Sequence, residues 1–500
     1  MSKGFVALVG AGPGELGLLT LRGMEFLKKA EVVVYDRLVS EEILRISSES
    51  ALKIDVGKKS SYHLVGQEKI NEILLKEALR GKRVVRLKGG DPFLFGRGAE
   101  ELELLVQNNI PFEVVPGITS AISVPSYAGI PVTHRDFCSS VHIITGHKKA
   151  NEPLNIDFES LVKIGGTLVF LMGVSSLKQI TDGLIDAGMD KKMTTAIVEN
   201  GTRGNQRKIV TTIESLFEET VKKDIKSPAV VIVGEVCALS EKYDWHAKKI
   251  LSGEKIIVTR PKSSGGTLSS YLKELGADVY DSPCVEIHEI LKNEILEKAI
   301  ENIKGYEWLA FTSRNGVKVF FNYLKNNKKD FRILKDIKIA AIGKPTADSL
   351  NEYGIFADFI PEIYDGKHLG EGLCELVNKQ GKILLLRALK GSKEIINIFE
   401  KAGKKFNDIA IYETSYINMN KDKIEQLINE KNDIYVTFTS VSTVEGFVKS
   451  MGKIDFTKII GICIGNQTAE AARKYAIKYY ISDEATIESI IKKFLEVKND

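Results

Sequence analysis

The stretch Arg86-Leu-Lys-Gly-Gly-Asp-Pro-Phe-Leu-Phe-Gly-Arg-Gly-Ala-Glu-Glu101 joins an apolar, strand-like run to a helical pattern that continues to Leu105. Gly89 and Gly90 allow a positive φ or a close backbone approach, and Pro92 fixes the turn that follows. Such a junction is typical of a tight strand-to-helix turn or of a loop that holds a ligand. The rest of the chain decides between these two interpretations.

The start of the chain carries a second junction of the same kind. A short apolar strand over Phe5–Val9 leads into Gly10-Ala-Gly-Pro-Gly14 and then into a helical run over residues 18–30. A strand, a glycine loop and a helix form the arrangement that holds phosphates or adenosine at a helix N-terminus. The spacing departs from G-x-G-x-x-G, so the loop is not a dinucleotide fingerprint.

Further strands of the first half also end in glycine or polar motifs. These motifs are Asp36-Arg37-Leu38-Val39, Pro116-Gly-Ile-Thr-Ser120, Ile130–Asp136, Gly146-His147, Met172-Gly173, Glu199-Asn200-Gly201 and Gly234. An α/β fold keeps its chemistry at the carboxyl ends of its strands, so we predict one cleft lined by many strand ends. Taken singly, Asp36 and Arg37 also fit a surface ion pair, and Met172 also fits a core-filling role.

Composition limits the class of protein. The chain has 500 residues, which predicts two or more domains, and a net charge of only +4, which argues against nucleic acid as a partner. The five cysteines form no C-x-x-C pair and the seven histidines show no metal-ligand spacing, so we predict neither disulfides nor a bound metal. No signal peptide and no run long enough to cross a membrane are found. We therefore predict a cytoplasmic protein without a membrane partner.

Six motifs of the first half together carry a family resemblance. They are Val9–Gly14, Tyr35–Ser40, Arg86–Phe93, Val115–Thr119, Pro131–Asp136 and Met172-Gly173. In order and spacing, residues 1–245 resemble the uroporphyrinogen-III C-methyltransferases of the tetrapyrrole methylase family. The resemblance implies a two-lobed α/β fold, a homodimer, S-adenosyl-L-methionine as cofactor, and two methylations of uroporphyrinogen III to give precorrin-2, the branch point toward sirohaem and cobalamin.

The same resemblance assigns site residues. It implies that the cofactor contacts Pro13, Gly89, Gly90, Asp91, Leu94, Thr119, Ser120, Met172 and Gly201. Asp36 matches the family's proton acceptor and Lys58 its proton donor. Because the substrate carries eight carboxylates, its expected cationic partners are Arg37, Lys59, Arg86, Lys88 and Arg97, for which a solvated surface charge is the alternative. Lys59 and Ser120 stand where relatives often carry Arg and Ala, a departure that bears on affinity.

The second half, residues 254–500, contains an internal repeat. Its paired markers are Lys255–Arg260 with Lys382–Arg387, Phe311–Ser313 with Phe438–Ser440, and Ile342–Ala347 with Ile464–Ala469. Two copies of one α/β unit facing each other predict a polar cleft between two lobes.

These markers resemble uroporphyrinogen-III synthase, which closes hydroxymethylbilane into a ring. The resemblance implies lobes formed by residues 254–283 plus 413–500 and by residues 284–412, with Tyr412 as the catalytic cleft tyrosine. Candidate donors to substrate carboxylates are Thr312, Ser313, Thr346, Thr439 and Ser440, and helix capping is the alternative for these hydroxyls. Arg260 and Arg387 either bind propionates or brace the repeat.

Together, the two halves predict a bifunctional enzyme that makes uroporphyrinogen III and methylates it twice. One alternative gives the methyltransferase a later corrin-ring substrate, although the Asp36–Leu38 and Pro131–Asp136 motifs favour the earlier one. A second alternative makes the second half a non-catalytic, tetrapyrrole-sensing module.

Overall fold

The computed structural model describes residues 3–57, 66–146, 154–260, 266–430 and 434–499. The chain divides into two units, Met1–Gly253 with Leu275–Asp278, and Glu254–Glu274 with Val279–Asp500. Among the described residues each unit contains two five-stranded sheets, which makes the protein α/β throughout. None of the helices in these ranges is long and apolar enough to cross a membrane.

The first sheet is parallel throughout and has the strand order β3-β2-β4-β1-β5. Its elements are β1 (Phe5–Gly10), α1 (Leu21–Lys29), β2 (Val32–Tyr35), α2 (Glu41–Leu44), β3 (Leu52–Asp55), α3 (Gln67–Leu79), β4 (Arg83–Lys88), α4 (Gly98–Gln107) and β5 (Phe112–Val115). Separate apolar clusters cover its two faces, as expected for a parallel sheet. All five carboxyl ends therefore lie along one edge.

The second sheet of this unit is mixed and has the order β6-β7-β10-β8-β9, with β6 and β7 parallel and the other neighbours antiparallel. Its elements are α5 (Ser120–Tyr127), β6 (Val141–Thr145), α6 (Phe158–Ile164), β7 (Thr167–Leu171), α7 (Leu177–Asp186), β8 (Thr194–Glu199), β9 (Arg207–Thr212), α8 (Ile213–Lys222), β10 (Ala229–Val233) and α9 (Ser240–Tyr243). Helix α5 packs on one face through Ala121 and Val124.

The second unit contains two α/β lobes. Its elements are β11 (Lys255–Val258), α10 (Gly266–Glu274), β12 (Asp278–Asp281), β13 (Val285–Glu289), α11 (Glu294–Glu301), β14 (Trp308–Phe311), α12 (Arg314–Asn326), β15 (Lys338–Ala341), α13 (Lys344–Asn351), α14 (Gly366–Leu376), β16 (Lys382–Ala388), α15 (Glu394–Lys401), β17 (Lys405–Tyr416), α16 (Lys421–Glu430), β18 (Ile434–Phe438), α17 (Val441–Met451), β19 (Ile459–Cys463), α18 (Asn466–Arg473), β20 (Lys478–Ile481) and α19 (Ile487–Asn499).

The internal repeat predicted from the sequence is confirmed by the strand orders β12-β11-β18-β19-β20 and β13-β17-β16-β14-β15. The paired markers occupy equivalent strands, since β11, β18 and β19 in one lobe are adjacent in the same way as β16, β14 and β15 in the other. The sequence predicts that one lobe ends at Tyr412, but β17 continues without a break to Tyr416. Its last residues, from Tyr412 onward, pair antiparallel with β13.

Candidate active sites

Three glycine loops meet at the carboxyl ends of β1, β4 and β5. Gly90 N donates to Gly12 O at 2.8 Å and Gly12 N donates to Gly90 O at 3.2 Å. Both residues have positive φ, and a Cβ at Gly117 would lie only 2.1 Å from Gly90 O. A side chain at Gly10 would likewise meet the Gly117 backbone at 2.4 Å, so this crossing of loops requires glycine.

Asp91 fixes the crossing. Its Oδ1 accepts from the backbone N–H groups of Phe93 at 2.8 Å and Leu94 at 3.1 Å, while its Oδ2 accepts from Gly117 N at 3.0 Å. The carboxylate therefore ties the loop after β4 to the loop after β5. This predicted cofactor residue lies in the crossing, where both of its oxygens bind backbone.

The predicted cofactor residues lie at strand ends of both sheets of this unit. Seven of the nine predicted residues follow strands of the first sheet: Pro13, Gly89, Gly90, Asp91, Leu94, Thr119 and Ser120. Thr119 caps α5 by accepting from Ala121 N at 3.2 Å. Gly201 follows β8, and a Cβ there would lie 2.4 Å from Val124 in α5. Met172 follows β7 with φ of 57° and is 47% exposed.

Arg203, which sequence reasoning missed, connects the loops of the two sheets of this unit. Its Nη2 donates to the carbonyl of Leu38, after β2, at 3.1 Å. A Cβ on Gly14 would come within 2.5 Å of its Nε, so the guanidinium lies directly against the first glycine loop. Nothing in the sequence marks this arginine beyond its position two residues after Gly201.

A buried network of charges lies behind Asp36. Glu101 in α4 is fully buried and accepts from Lys88 Nζ at 2.7 Å, from Arg86 Nη2 at 3.1 Å and from Gln67 Nε2 at 3.2 Å. Arg86 Nη2 also donates to Asp36 Oδ1 at 2.6 Å. Burial, reinforced by neighbouring Arg86, lowers the pKa of Lys88, and the Glu101 carboxylate opposes that shift.

The positions of Arg86 and Lys88 differ from those expected of substrate ligands. Their side chains are only 2% and 6% exposed and are paired with Glu101. On β4 they share a face with Val84, and α3 and α4 cover that face. The prediction that both residues contact substrate is therefore wrong, because they serve as internal counter-charges of Glu101. Arg86 also holds Asp36, whose side chain remains 30% exposed.

Two further predicted cations of this half, Arg97 and Arg37, lie at the surface. Arg97 is exposed and forms a bidentate pair with Glu100, with distances of 3.0 and 2.6 Å. Arg37 is exposed on the loop after β2. Lys58 and Lys59 lie outside the described residues.

Sequence reasoning also missed Glu101, although a signal for it existed. Glu101 precedes Leu105 by four residues, which places a charged residue on the apolar face of a predicted helix. A charge at a core position requires a buried partner, and the nearby strand supplies two cations.

In the second unit, Tyr412 and Ser313 form a hydroxyl pair. Their oxygens are 2.8 Å apart, and Ser313 also caps α12 by accepting from Gly316 N at 3.0 Å. Burial raises the pKa of Tyr412, and the hydrogen bond with Ser313 partly offsets this rise. Ser313 thus combines the capping role with the contact to the predicted catalytic tyrosine.

The other predicted hydroxyls have varied surroundings. Ser440 caps α17 by accepting from Thr443 N at 3.3 Å, and Thr443 Oγ1 accepts from Ser440 N in return, so capping accounts for this residue. Thr346 is buried within α13. Thr312 and Thr439 are half-buried immediately after β14 and β18.

The two repeat arginines behave differently. Arg387 forms a bidentate pair with Asp408, with distances of 2.6 and 2.7 Å, which favours the bracing interpretation for this residue. Arg260 is 4% exposed and lies two residues after β11.

Each half of the chain matches a known protein family. A model of the tetrapyrrole (corrin/porphyrin) methylases matches residues 6–216, and a model of uroporphyrinogen-III synthase HemD matches residues 266–492. The porphyrin biosynthesis protein HemD of Ruminiclostridium josui is 53% identical over 497 residues, which cover 99% of each chain. This chain belongs to that HemD family. Its first half resembles the tetrapyrrole methylases and its second half the uroporphyrinogen-III synthases.

Other relatives match one half of this HemD-family chain. Siroheme synthase 2 of Cronobacter sakazakii is 51% identical over 247 residues, or 49% of this chain and 53% of the relative. A solved uroporphyrin-III C-methyl transferase of Thermus thermophilus, complexed with S-adenyl homocysteine, is 38% identical, with a TM-score of 0.41 over 47% of this chain and all of that one. Uroporphyrinogen-III synthetase of Helicobacter pylori is 20% identical, with a TM-score of 0.36 over 49% of this chain and 99% of that one.

Proposed function

We propose that the first unit methylates uroporphyrinogen III twice to give precorrin-2, and that the second unit forms uroporphyrinogen III from hydroxymethylbilane. The observation that carries this proposal is the glycine crossing of Gly12, Gly90 and Gly117 on the same sheet edge as Asp36. A methyl transfer requires two reactants held in line and shielded from water, and a rigid backbone cradle beside an acid–base group suits that requirement.

S-adenosyl-L-methionine fits the crossing as the methyl donor. A Cβ on Gly90 would find no described atom within 4 Å, whereas Gly117 packs tightly against the backbone of the same residue. The loop thus has a packed side and an open side, and the open side suits the adenosine or methionine part of the donor. When bound, this cofactor supplies an electrophilic methyl group.

Asp36 is proposed as the proton acceptor. Arg86 binds its Oδ1, and Oδ2 has no hydrogen bond with a described side chain or backbone group, which leaves that oxygen available to a substrate proton. The buried Arg86–Glu101 contact fixes the guanidinium and, through it, the orientation of Asp36. Lys58 remains the proposed proton donor, and Arg37, Lys59 and Arg97 the proposed partners of substrate carboxylates.

In the second unit we assign Tyr412 to the loss of the bilane hydroxyl group. Its phenol is buried and is held by Ser313, so it presents an oriented O–H to a group that leaves with a proton. Thr312, Thr346 and Thr439 are proposed as further contacts. We also propose that the protein acts as a cytoplasmic homodimer and supplies sirohaem and cobalamin synthesis.

Product analysis on the full chain tests both activities. The protein is incubated with hydroxymethylbilane and S-adenosylmethionine, each omitted in turn, and products are separated by isomer and methyl count. The complete mixture should give precorrin-2, and omission of the methyl donor should leave unmethylated type III ring. Formation of type I ring alone would refute the synthase activity and favour a sensing role for the second unit.

Two variants assign the residues. Asp36→Ala should reduce methylation while S-adenosylmethionine binding, measured by equilibrium dialysis, stays near wild type. Tyr412→Phe should slow ring closure and leave methylation of supplied uroporphyrinogen III unchanged. Wild-type turnover by either variant in its own reaction contradicts the role proposed for that residue.

A further inference from the structure

Arg260 is a buried cation without a counter-ion among the described residues. The residue is only 4% exposed, and its buried Nη1 has no hydrogen-bond partner in the part of the chain that the structure describes. Burial, with a further contribution from nearby Arg314, lowers the pKa of Arg260 to about 10. Burying an unpaired charge is costly, so a conformation of this kind suggests a ligand that supplies the missing anion.

The internal repeat provides a direct comparison. Arg387 is the equivalent residue of the sequence repeat, lies within β16, and is held by both oxygens of Asp408. The residue of the first copy that corresponds to Asp408 is Asp281, at the same spacing along the sequence. Asp281 instead accepts from Ser269 Oγ and lies 4.0 Å from Lys273. One copy therefore uses its arginine as a brace, and the other leaves its arginine without that brace.

A second cation approaches Arg260 from the other lobe. Arg314 is the first residue of α12 and is half-buried; burial lowers its pKa, and the carboxylates of Glu352 and Asp348 oppose the shift. It directly follows Ser313, whose hydroxyl contacts Tyr412. Two arginines, one from each lobe, are thus close enough to repel each other, and one of them directly follows the serine of the hydroxyl pair assigned to catalysis.

We propose that Arg260 and Arg314 together bind one carboxylate of the second unit's substrate, and that this carboxylate bridges the two lobes. The proposal rests on the synthase function proposed above and adds the residues that orient its substrate. Guanidinium groups bind carboxylates in bidentate fashion, and a carboxylate between two cations removes both the unpaired charge and the repulsion between them. A carboxylate held from both lobes would fix the orientation of the linear bilane for ring closure.

Steady-state kinetics of type III ring formation by the full chain test the proposal. R260Q and R314Q should each raise KM for hydroxymethylbilane by roughly tenfold or more, the size expected when one charge-assisted contact is lost. R332Q is the matched control, since Arg332 of the same unit is 88% exposed and pairs with Asp330 at the surface. Methylation of supplied uroporphyrinogen III should not change in any of the three variants.

Thermal unfolding separates binding from bracing. R387Q should lower the unfolding temperature because it leaves Asp408 without its partner, whereas R260Q should leave that temperature unchanged or raise it. Equilibrium dialysis with uroporphyrin III, an octacarboxylate, should show weaker binding to R260Q than to R332Q. A wild-type KM in R260Q and R314Q, or a fall in unfolding temperature for R260Q as large as that for R387Q, would overturn the proposal.

The result for the wild-type protein distinguishes failure of the bridging-carboxylate proposal from failure of the proposed synthase function. If wild type forms the type III isomer and the arginine variants match it, only the bridging carboxylate is refuted. If wild type forms no type III isomer, the synthase function fails, and this proposal fails with it.

Discussion

Replacing Glu101 by Gln should destabilise the first unit far more than any surface substitution of the same kind. The Glu101 carboxylate is fully buried and pairs with both Arg86 and Lys88. With the amide in its place, the part-exposed Asp36 would be the one anion left in the network for these two cations. Removing one partner of a buried ion pair typically costs about 3–5 kcal/mol. For a unit of this size, that corresponds to a fall of roughly 10 °C in unfolding temperature.

The neighbouring residue provides the control. Glu100 differs from Glu101 by one position, but it lies at the surface and pairs with exposed Arg97, so Glu100→Gln should leave the unfolding temperature almost unchanged. Calorimetry gives the temperatures, and hydrogen exchange of peptides from β4 and α4 locates the change. Glu101→Gln should also slow methylation, because Arg86 would no longer be fixed behind Asp36. Equal unfolding temperatures for the two variants would refute the argument from buried charge.

Two further perturbations address other parts of the first unit. Gly117→Ala should lower the free energy of unfolding by about 1–3 kcal/mol and weaken S-adenosylmethionine binding in equilibrium dialysis, because its Cβ would lie 2.1 Å from Gly90 O. The control is Gly17→Ala, which should bind the cofactor normally, since the nearest neighbour of its Cβ is a flexible side chain at 3.4 Å. Burial and nearby Lys249 hold the pKa of His246 below its usual value, so between that lowered pKa and about 6.5 the unfolded chain binds more protons than the folded chain. Stability measured by urea unfolding should therefore fall as pH drops through this window, and His246→Gln should reduce that fall; an unchanged slope would contradict it.

The sequence predicts the strands, their glycine ends and the internal repeat because these depend on local pattern. It fails for Arg86 and Lys88 because charges that alternate with apolar residues on a strand are typical of a face open to solvent. In this sheet α3 and α4 cover that face, and the two cations pair with Glu101. Glu101 lies in α4, so the residue pattern of the strand alone does not reveal it. Which face of a strand is covered is a tertiary property.

The hydroxyl pair of the second unit shows the same limit. Ser313 and Tyr412 are 99 residues apart, and their hydrogen bond forms only after β16 is placed between β14 and β17. Arg314 carries no mark in the sequence, since a basic residue at the start of a helix is ordinary. Its closeness to Arg260 depends on how the two lobes of that unit pack, which periodicity does not encode.

The order of strands in the second unit also determines when each of its sheets can form during translation. Strands β13–β17 are consecutive in the chain and can complete their sheet as they emerge, whereas β11 pairs with β18, and the bond from Thr259 Oγ1 to Thr437 O spans 178 residues. At a translation rate of about 5–20 residues per second, roughly 10–35 s pass between the synthesis of β11 and that of β18. During that interval the unpaired backbone edge of this apolar strand is open to chaperones, proteases and other nascent chains. The lobe begun first is therefore finished last, and the nascent chain is most vulnerable there.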